Sequence, residues 1–293
     1  MKIAAYFWGG KRHVGRVSED GAELTPLALG EAGSALGVLA LVEMMAAGKP
    51  MPAAPSPRLP MSAVRLDAPF PHPRRNVFCV GKNYREHAKE FTASGFDTSA
   101  PTAADAVPEV PIIFSKVPES VIATGAAIRI PTGVSDAIDY EAELVVVIGR
   151  GGRGIRAARA MEHVWGYTIA NDVTARDWQH RHKQWLMGKS FDTFCPLGPW
   201  AVDAAELDGR DTRVRCWVND ELRQDARTTD LIFDIPTLIE TISAGITLLP
   251  GDLIATGTPA GVGVGFTPPR YLQRGDEVRI QIDGIGVLEN PVE

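Results

Sequence analysis

The sequence predicts a β-rich α+β fold that begins with a small N-terminal α+β domain. Strand patterns outnumber helical patterns from Pro111 onward, and glycine and proline separate them repeatedly. The strands and helices do not alternate regularly, so we favour a mixed sheet over a doubly wound parallel sheet. The expected boundaries are residues 1–70 for the small domain and residues 71–293 for the main domain.

Composition limits the partners that this chain can have. Of its 293 residues 45% are hydrophobic, so the chain can bury a large core. The formal net charge of −6 provides no overall basic field, which argues against nucleic acid and anionic membranes as partners. The longest mostly apolar run, residues 35–48, has 14 residues and is too short to cross a bilayer as a helix.

Cysteine usage indicates a reducing compartment. Cys79, Cys195 and Cys216 are far apart and odd in number, which predicts neither a disulfide framework nor a zinc knuckle. The first residues lack the apolar segment of a signal peptide. We therefore expect a cytoplasmic protein.

The N-terminal third contains short elements and two irregular stretches. Strands are predicted at residues 1–8 and 12–17, followed by a helix within residues 35–48 and a proline-rich linker at residues 49–62. A strand from Asn76 is followed by a helix from Arg85 and by about 20 small, polar and proline-rich residues. A loop of that length is often functional, so we expect a lid at about residues 84–110.

Strand signals dominate the rest of the chain. The predicted strands lie within residues 111–116, 121–131, 143–149, 164–172, 197–202, 212–220, 252–257 and 278–292. Two helices are predicted, at residues 174–185 and 235–245. The second has proline at its first turn and Gly245 at a plausible C-terminal cap.

Two acidic side chains begin the most apolar strand. Glu141 and Glu143 are two residues apart, so in a strand they share one face at about 6–7 Å and repel each other. Asp172, where another apolar run ends, could join them, and three carboxylates suit a hard divalent cation with open positions for substrate. The alternative is an exposed acidic strand start, with Asp172 serving as the N-cap of a helix at Thr174.

A glycine-rich stretch offers a rival interpretation. Gly149, Gly151 and Gly154 follow a strand with the spacing G-x-G-x-x-G, and Asp172 lies 18 residues farther on. These features are typical of a dinucleotide site. The acidic residues in the preceding strand argue against it, because a buried central strand would not favour them.

Several polar residues have the spacing of a catalytic site. His87 and Glu90 share a helix face, where a carboxylate could orient an imidazole that activates water. Arg176 and Gln179 share a face after Asp172. Solvated helix surfaces explain both pairs as well.

Two further segments could hold an anion. Lys189 could neutralise a substrate carboxylate or an enolate, or could form an ordinary ion pair. The glycine and threonine loop at residues 257–265 could bind a carboxylate through backbone N–H groups and the Thr258 hydroxyl.

Five motifs occur together and in a fixed order: VGKNYREHAKE, DYEAELVVVIG, YTIANDVTARDWQ, GKSFDTFCPLGP and GDLIATGTPAGVG. Through them residues 75–293 resemble the fumarylacetoacetate hydrolase superfamily, in particular the branch with acylpyruvate hydrolases and oxaloacetate decarboxylases. The resemblance implies a mixed β-sandwich roll that is usually a homodimer. The stretch between Glu90 and Pro111 is longer than in compact relatives, so the geometry of the lid is not carried over.

The same resemblance assigns roles to the motif residues. It implies one Mg²⁺ or Mn²⁺ per subunit, held by Glu141, Glu143 and Asp172. It implies catalytic roles for His87, Glu90 and Lys189. The substrate-binding residues that it implies are Tyr84, Arg176, Gln179, Gly257 and Thr258.

The expected substrate is a small 2-oxo acid. We prefer hydrolysis of a carbon–carbon bond in a 2,4-dioxo acid of the acylpyruvate or fumarylpyruvate type, releasing pyruvate through a metal-stabilised enolate, because the His87 and Glu90 pair is intact. Decarboxylation of oxaloacetate and isomerisation of a dienedioate are alternatives that share the enolate. A binding protein without turnover is a further alternative.

Overall fold

The computed structural model describes residues 1–54, 57–97 and 105–293, and it confirms a β-rich α+β fold with few helices. Within these ranges the helices are α1 Gly30–Ala35, α2 Val38–Ala46, α3 Arg85–Ala93, α4 Arg176–His182, α5 Leu186–Lys189 and α6 Ile235–Gly245. The strands of the first half are β1 Lys2–Trp8, β2 Lys11–Val17, β3 Glu23–Pro26, β4 Leu59–Pro60, β5 Arg65–Asp67, β6 Val77–Gly81, β7 Ile112–Lys116, β8 Val121–Ile122 and β9 Ile138–Asp139. Those of the second half are β10 Ala142–Ile148, β11 Val164–Asn171, β12 Thr174–Ala175, β13 Cys195–Asp203, β14 Arg213–Val218, β15 Glu221–Arg227, β16 Leu253–Ala255, β17 Glu277–Ile282 and β18 Gly286–Pro291.

The described strands form one large mixed sheet and two smaller sheets. The large sheet has the order β4-β3-β2-β1-β13-β11-β10-β16-β6-β7, with β5 beside β1 and β8 beside β13. A four-stranded sheet has the order β15-β14-β17-β18, and β9 pairs with β12. Two pairings of the large sheet, β16 with β6 and β13 with β8, are parallel. The sheet is therefore mixed, as the irregular order of elements predicts.

Strand β10 lies at the centre of the packing, with all seven residues buried. Leu144 and Val146 belong to the core that includes residues of β14 and β17, whereas Val145 and Val147 belong to the core that includes residues of α2. Each buried aliphatic side chain contributes about 1.5–3 kcal/mol. This strand is thus a firmly packed support for the acidic residues at its start.

The pairing around β10 brings four strand ends together. β10 is antiparallel to both β11 and β16, and β16 is parallel to β6. The start of β10 therefore lies at the same end of the sheet as the carboxyl ends of β11, β16 and β6. The predicted site residues follow or precede these four ends.

The helix predicted at residues 174–185 is wrong in its bounds. Thr174 and Ala175 instead pair with β9, and the helix that begins at Arg176 ends at His182, just before Lys183, which has a φ of 56°. Periodicity did not reveal the late start of this helix, because that start depends on pairing with a distant strand. The strand predicted at residues 121–131 is limited to β8. The Pro-initiated helix is confirmed as α6, and Asp234 caps it by accepting the Thr237 N–H at 2.9 Å.

The N-terminal strands continue the large sheet, because β1 pairs with β13. A domain boundary at about residue 70 stays a prediction. The predicted lid, residues 84–110, contains α3. It also includes residues 98–104, which lie outside the described residues.

In the part of the chain that the structure describes, no helix is both long and apolar enough to span a membrane. The three cysteines are buried and unpaired.

Candidate active site

Three predicted metal ligands meet at the start of β10. Ala142 pairs with Asn171, so Glu141, Glu143 and Asp172 extend from neighbouring strand ends, and the Asp172 N–H donates to the Glu141 carbonyl at 2.8 Å. One oxygen from each carboxylate lies within 4.8 Å of the others. The exposed fractions of the three residues are only 4%, 1% and 0%. The alternative of an exposed strand start is therefore wrong, and α4 begins too late for Asp172 to cap it.

Two cations that the sequence indicated contact these carboxylates. The Lys189 ammonium lies 2.6 Å from Glu141 Oε2 and 2.8 Å from Asp172 Oδ2. The Arg176 Nη2 lies 2.7 Å from Glu141 Oε1, and its Nη1 donates to Gln179 Oε1 at 3.1 Å. All of these side chains are buried. Burial strengthens such pairs, since no water screens them.

Sequence reasoning missed two charged residues of the same network. The buried Lys116 ammonium donates to Asp172 Oδ1 at 2.7 Å and to the Val173 carbonyl at 3.0 Å. Asp139 Oδ2 accepts from Arg176 Nε at 2.9 Å, and the backbone N–H of Gly263 also donates to the Asp139 carboxylate, at 2.6 Å. The signal for Asp139 was present, because it occupies the same alternating positions as Glu141. Lys116 gave none, as it ends an ordinary apolar strand.

The paired cations determine the charge of Glu141. Burial alone would raise the pKa of this carboxyl, but Lys189 and Arg176 outweigh burial and lower the pKa to about 2. Burial disfavours the charged form of Lys189 too, which for an amine means a lower pKa. The negative charges of Asp172 and Glu141 outweigh burial and raise the pKa of Lys189 overall. Glu141 is therefore an anion and Lys189 a cation near neutral pH.

Glu143 has the opposite environment. Burial, followed by the negative charges of Asp172 and Glu141, raises its pKa well above the ordinary value. The hydrogen bond from the Gly257 N–H to Glu143 Oε2, at 2.8 Å, does not offset these effects. Among the described residues, Glu143 is thus the one carboxyl of the cluster with no cation in ion-pair contact.

The donor set fits a divalent metal ion. Four buried carboxylates, of Asp139, Glu141, Glu143 and Asp172, face three buried cations, of Lys116, Arg176 and Lys189. A cation among Glu141, Glu143 and Asp172 would relieve the repulsion that holds a proton on Glu143. Oxygen-only donors are those that Mg²⁺ and Mn²⁺ prefer.

Metal binding should release a proton from Glu143. Its raised pKa means that the folded apoprotein retains this proton as pH rises above 4.5, where an unperturbed glutamate would lose it. The apparent Mn²⁺ affinity should consequently increase with pH from 4.5 toward the raised pKa. Calorimetric titrations at mildly acidic pH, in two buffers of different ionisation enthalpy, should give different apparent enthalpies. Identical enthalpies would show that no proton leaves.

Helix α3 places the predicted water-activating pair beside the cluster. His87 Nδ1 lies 3.3 Å from Glu90 Oε2, and His87 is only 4% exposed. Glu90 is fixed in turn by the Gly261 N–H, which donates to Oε1 at 3.0 Å. The pair therefore lies between a helix and the 257–265 loop, so it is not a solvated helix surface.

A narrow cavity joins these groups. Its walls include seven predicted site residues and six others: Val80, Gly81, Lys82, His87, Phe91, Phe114, Glu141, Glu143, Arg176, Gln179, Trp185, Lys189 and Thr258. The free volume of about 10 Å³ has room for about one water molecule. A wall of the cavity must therefore move before any organic acid can enter.

Two predicted substrate-binding residues lie outside this lining. Tyr84 is buried, and burial together with the nearby Glu143 carboxylate raises the pKa of its phenol. The N–H of Gly257 already donates to Glu143, as described above. Their contacts with a substrate stay predictions.

The glycine-rich stretch does not form a phosphate cradle. The N–H of Gly152 donates to the Leu248 carbonyl at 2.9 Å, and that of Gly154 donates to the Ser243 carbonyl at 2.7 Å. A short 3₁₀-helix, Ala157–His163, follows in place of an α-helix. These amides are unavailable to a pyrophosphate, and Asp172 belongs to the acidic cluster.

Comparison with protein families and curated proteins is consistent with this geometry. A family profile described as fumarylacetoacetate (FAA) hydrolase C-terminal matches residues 76–293. An oxaloacetate tautomerase, YisK, from Bacillus subtilis (strain 168) is 48% identical over 233 residues, which cover 79% of this chain and 74% of the relative. The mitochondrial oxaloacetate tautomerase FAHD2A of Homo sapiens is 45% identical over 243 residues, which cover 82% and 73% of the two chains.

Solved structures match the whole chain. A fumarylacetoacetate hydrolase from Exiguobacterium antarcticum superposes with a TM-score of 0.83 at 38% identity, covering 100% of this chain and 99% of that one. A 2-hydroxyhepta-2,4-diene-1,7-dioate isomerase from Mycobacterium marinum gives 0.76 at 35% identity, with coverages of 100% and 98%. A maleylpyruvate hydrolase from Sphingobium gives 0.75 at 30% identity, with coverages of 100% and 99%.

Proposed function

This chain belongs to the fumarylacetoacetate hydrolase family, and from that premise we propose that it is a divalent-metal-dependent enzyme that interconverts the enol and keto forms of oxaloacetate. The observation that carries the proposal is the Lys189 ammonium held between Glu141 and Asp172 at the wall of the cavity. Two relatives that are 48% and 45% identical are named oxaloacetate tautomerases, which supports the choice of substrate.

Mg²⁺ or Mn²⁺ held by Glu141, Glu143 and Asp172 would supply a Lewis acid for the 2-oxo group of the substrate. We further propose one such ion per subunit and a homodimeric assembly, in line with the family resemblance. The protein supplies the remaining positive charge. Arg176 and Gln179, hydrogen-bonded to each other at the cavity wall, are placed to orient a carboxylate of the substrate.

Lys189 has the charge and position to stabilise an enolate. Negative charge moves onto the oxygen at carbon 2 when the proton at carbon 3 is removed, and a fixed ammonium in a water-poor site stabilises that charge. In the metal-free protein burial would lower the pKa of Lys189, but Asp172 and Glu141 raise it overall, so the amine carries its proton before the substrate binds.

His87 is placed to move the proton at carbon 3. Its Nδ1 faces Glu90 Oε2 at 3.3 Å, so Nε2 is the ring nitrogen left for exchange with the substrate. Conversion of enol to keto moves one proton from the oxygen at carbon 2 to carbon 3. No bond between heavy atoms breaks, and no oxidant or reductant is needed.

Hydrolysis of a 2,4-dioxo acid, the reaction preferred from sequence, is the second candidate. The His87 and Glu90 pair favours it, because the same imidazole could deprotonate a water for attack on a distal carbonyl. The maleylpyruvate hydrolase of similar fold supports this alternative. Decarboxylation of oxaloacetate would start from the same residues and would release carbon dioxide.

A product assay tests the proposal. Mn²⁺-loaded protein given the enol of oxaloacetate should accelerate loss of the enol absorbance while the total oxaloacetate stays constant. Acetylpyruvate, fumarylpyruvate and oxaloacetate should be assayed in parallel for pyruvate, the released acid and carbon dioxide. Pyruvate with an organic acid would favour hydrolysis, pyruvate with carbon dioxide would favour decarboxylation, and no acceleration over buffer would contradict enzymatic tautomerisation.

His87→Gln should lower the tautomerisation rate by about 10²-fold, the usual contribution of a positioned acid or base. Metal content should not change, because His87 contacts no carboxylate of the proposed metal site in the described hydrogen bonds. His182→Gln, which changes an exposed histidine of α4, is the matched control and should behave like the wild type. A wild-type rate for His87→Gln would exclude the imidazole as the proton carrier.

A further inference from the structure

Gln224 reaches from the four-stranded sheet to the active site. It lies on β15, is 0% exposed, and uses both atoms of its amide group. Its Oε1 accepts the Ala142 N–H at 3.0 Å, and its Nε2 donates to Thr258 Oγ1 at 2.8 Å and to the Pro259 carbonyl at 2.7 Å. One side chain therefore connects the backbone between two proposed metal ligands to a residue that lines the cavity.

The neighbours of Gln224 fix the orientation of its amide group. The Ala142 backbone nitrogen can only donate, so the atom facing it must be the oxygen. The Pro259 carbonyl can only accept, so the atom facing it must be the NH₂ group. If the amide were rotated by 180°, its NH₂ group would face the Ala142 N–H and its oxygen would face the Pro259 carbonyl. Both contacts would be repulsive, at a cost in free energy that a buried site does not tolerate.

This orientation sets the direction of the Thr258 hydrogen bond. Because Gln224 Nε2 can only donate, the Thr258 oxygen must accept, and its own hydrogen must point elsewhere. Among the contacts within the described ranges, the hydroxyl donates to no protein acceptor. Thr258 is 2% exposed and lines the cavity, so its hydrogen is available to an oxygen that enters there.

We propose that Gln224 is a positioning residue that makes the Thr258 hydroxyl an obligate hydrogen-bond donor to a carboxylate oxygen of the 2-oxo acid. The inference rests on the proposed function for the identity of the acid. It requires only that an anionic oxygen binds beside the metal site. A hydroxyl held in this way discriminates for acceptor oxygens and against groups that can only donate.

Oxalate is a suitable probe, because it has the adjacent oxygens of a 2-oxo acid and does not turn over. Its binding to the Mn²⁺-loaded wild type, Gln224→Met, Thr258→Val and the double variant should be measured by calorimetry. Each single change should weaken binding about tenfold, the value of one hydrogen bond to a charged group. The double variant should bind no more weakly than Thr258→Val alone, because Gln224 acts through that hydroxyl. Additive losses would overturn the proposal.

Further variants separate positioning from simple structural support. Thr258→Ser keeps the hydroxyl and should bind oxalate like the wild type. Gln224→Glu keeps an acceptor for the Ala142 N–H but would accept the Thr258 hydrogen, so it should weaken binding at least as much as Gln224→Met. Mn²⁺ affinity should be unchanged in Gln224→Met, and in turnover its KM should rise more than its kcat falls. A parallel loss of Mn²⁺ affinity would indicate structural support and overturn the proposal.

The outcome does not depend on turnover or on one variant. If the Gln224 variants do not fold, the Thr258 variants still test the inference. Equal oxalate binding by Thr258→Val and the wild type would overturn it. Weaker oxalate binding by Thr258→Val, with wild-type binding by Thr258→Ser, would support it. Oxalate binding with the expected coupling, but without oxaloacetate tautomerisation, would refute the proposed function alone. Tautomerisation with additive losses would refute the role of Gln224 alone.

Discussion

Glu143→Gln is expected to abolish divalent-metal binding and to lower turnover by about 10³-fold, which corresponds to about 4 kcal/mol of lost transition-state stabilisation. The variant keeps the shape of the side chain and an oxygen for the Gly257 N–H. It removes the negative charge that a third hard ligand provides. Metal content after dialysis and the initial rate with added Mn²⁺ are the measurements.

Thermal unfolding distinguishes this effect from simple damage. The raised pKa of Glu143 means that the folded apoprotein favours the protonated carboxyl, and that ionisation of this carboxyl destabilises the fold. The stability that the protonated carboxyl contributes is present below pH 4.5 and is lost as pH rises toward the raised pKa. Metal-free Glu143→Gln should therefore be at least as stable as the metal-free wild type near neutral pH. Added Mn²⁺ should raise the Tm of the wild type alone.

Glu289→Gln provides a matched control for this experiment. Glu289 lies exposed on β18, and its pKa is also raised, by partial desolvation and by the neighbouring Glu277. The Glu289→Gln change should leave metal content and turnover the same as in the wild type. Retention of stoichiometric metal by Glu143→Gln would contradict the assigned ligand set.

Lys189→Met should separate metal binding from catalysis. The ammonium lies within hydrogen-bonding distance of Glu141 and Asp172, so it competes electrostatically with a cation for the same carboxylates. Its removal should leave Mn²⁺ affinity equal to or greater than that of the wild type. The rate should nevertheless fall by about 10²–10³-fold, because the enolate loses its fixed donor.

Lys89→Met, which changes an exposed lysine of α3, is the control and should match the wild type in both measurements. Calorimetric titration with Mn²⁺ and the initial rate of enol loss are compared for the three proteins. A parallel decline of affinity and rate in Lys189→Met would mean that the lysine supports the metal site and has no separate catalytic role.

Local sequence patterns predicted the acidic cluster correctly because its geometry is mostly local. Glu141 and Glu143 share a face through strand periodicity alone, and Asp172 follows a recognisable apolar run. The mixed sheet was likewise predictable from the absence of a regular alternation of strand and helix. The residue itself left Lys189 open between anion neutralisation and an ordinary ion pair, and the family resemblance added the prediction that it is catalytic.

The residues that sequence reasoning missed depend on contacts between distant segments. Lys116 meets Asp172 across 56 positions, and Gln224, on β15, meets Thr258, in the loop after β16, across 34 positions. No periodicity within either segment encodes these contacts. The start of the helix predicted from Thr174 was wrong for the same reason, since pairing of Thr174 with Asp139 overrides local helix preference.

Anomalous scattering from a crystal soaked in Mn²⁺ shows whether Glu141, Glu143 and Asp172 hold a divalent cation. One strong peak per chain is expected, with an oxygen of Glu141, Glu143 and Asp172 each at about 2.1–2.2 Å, close to the usual distance for a small hard divalent cation. The Lys189 ammonium should have moved off at least one of these oxygens. A peak at another site, or none in a chain whose three carboxylates are ordered, would contradict the proposed metal site.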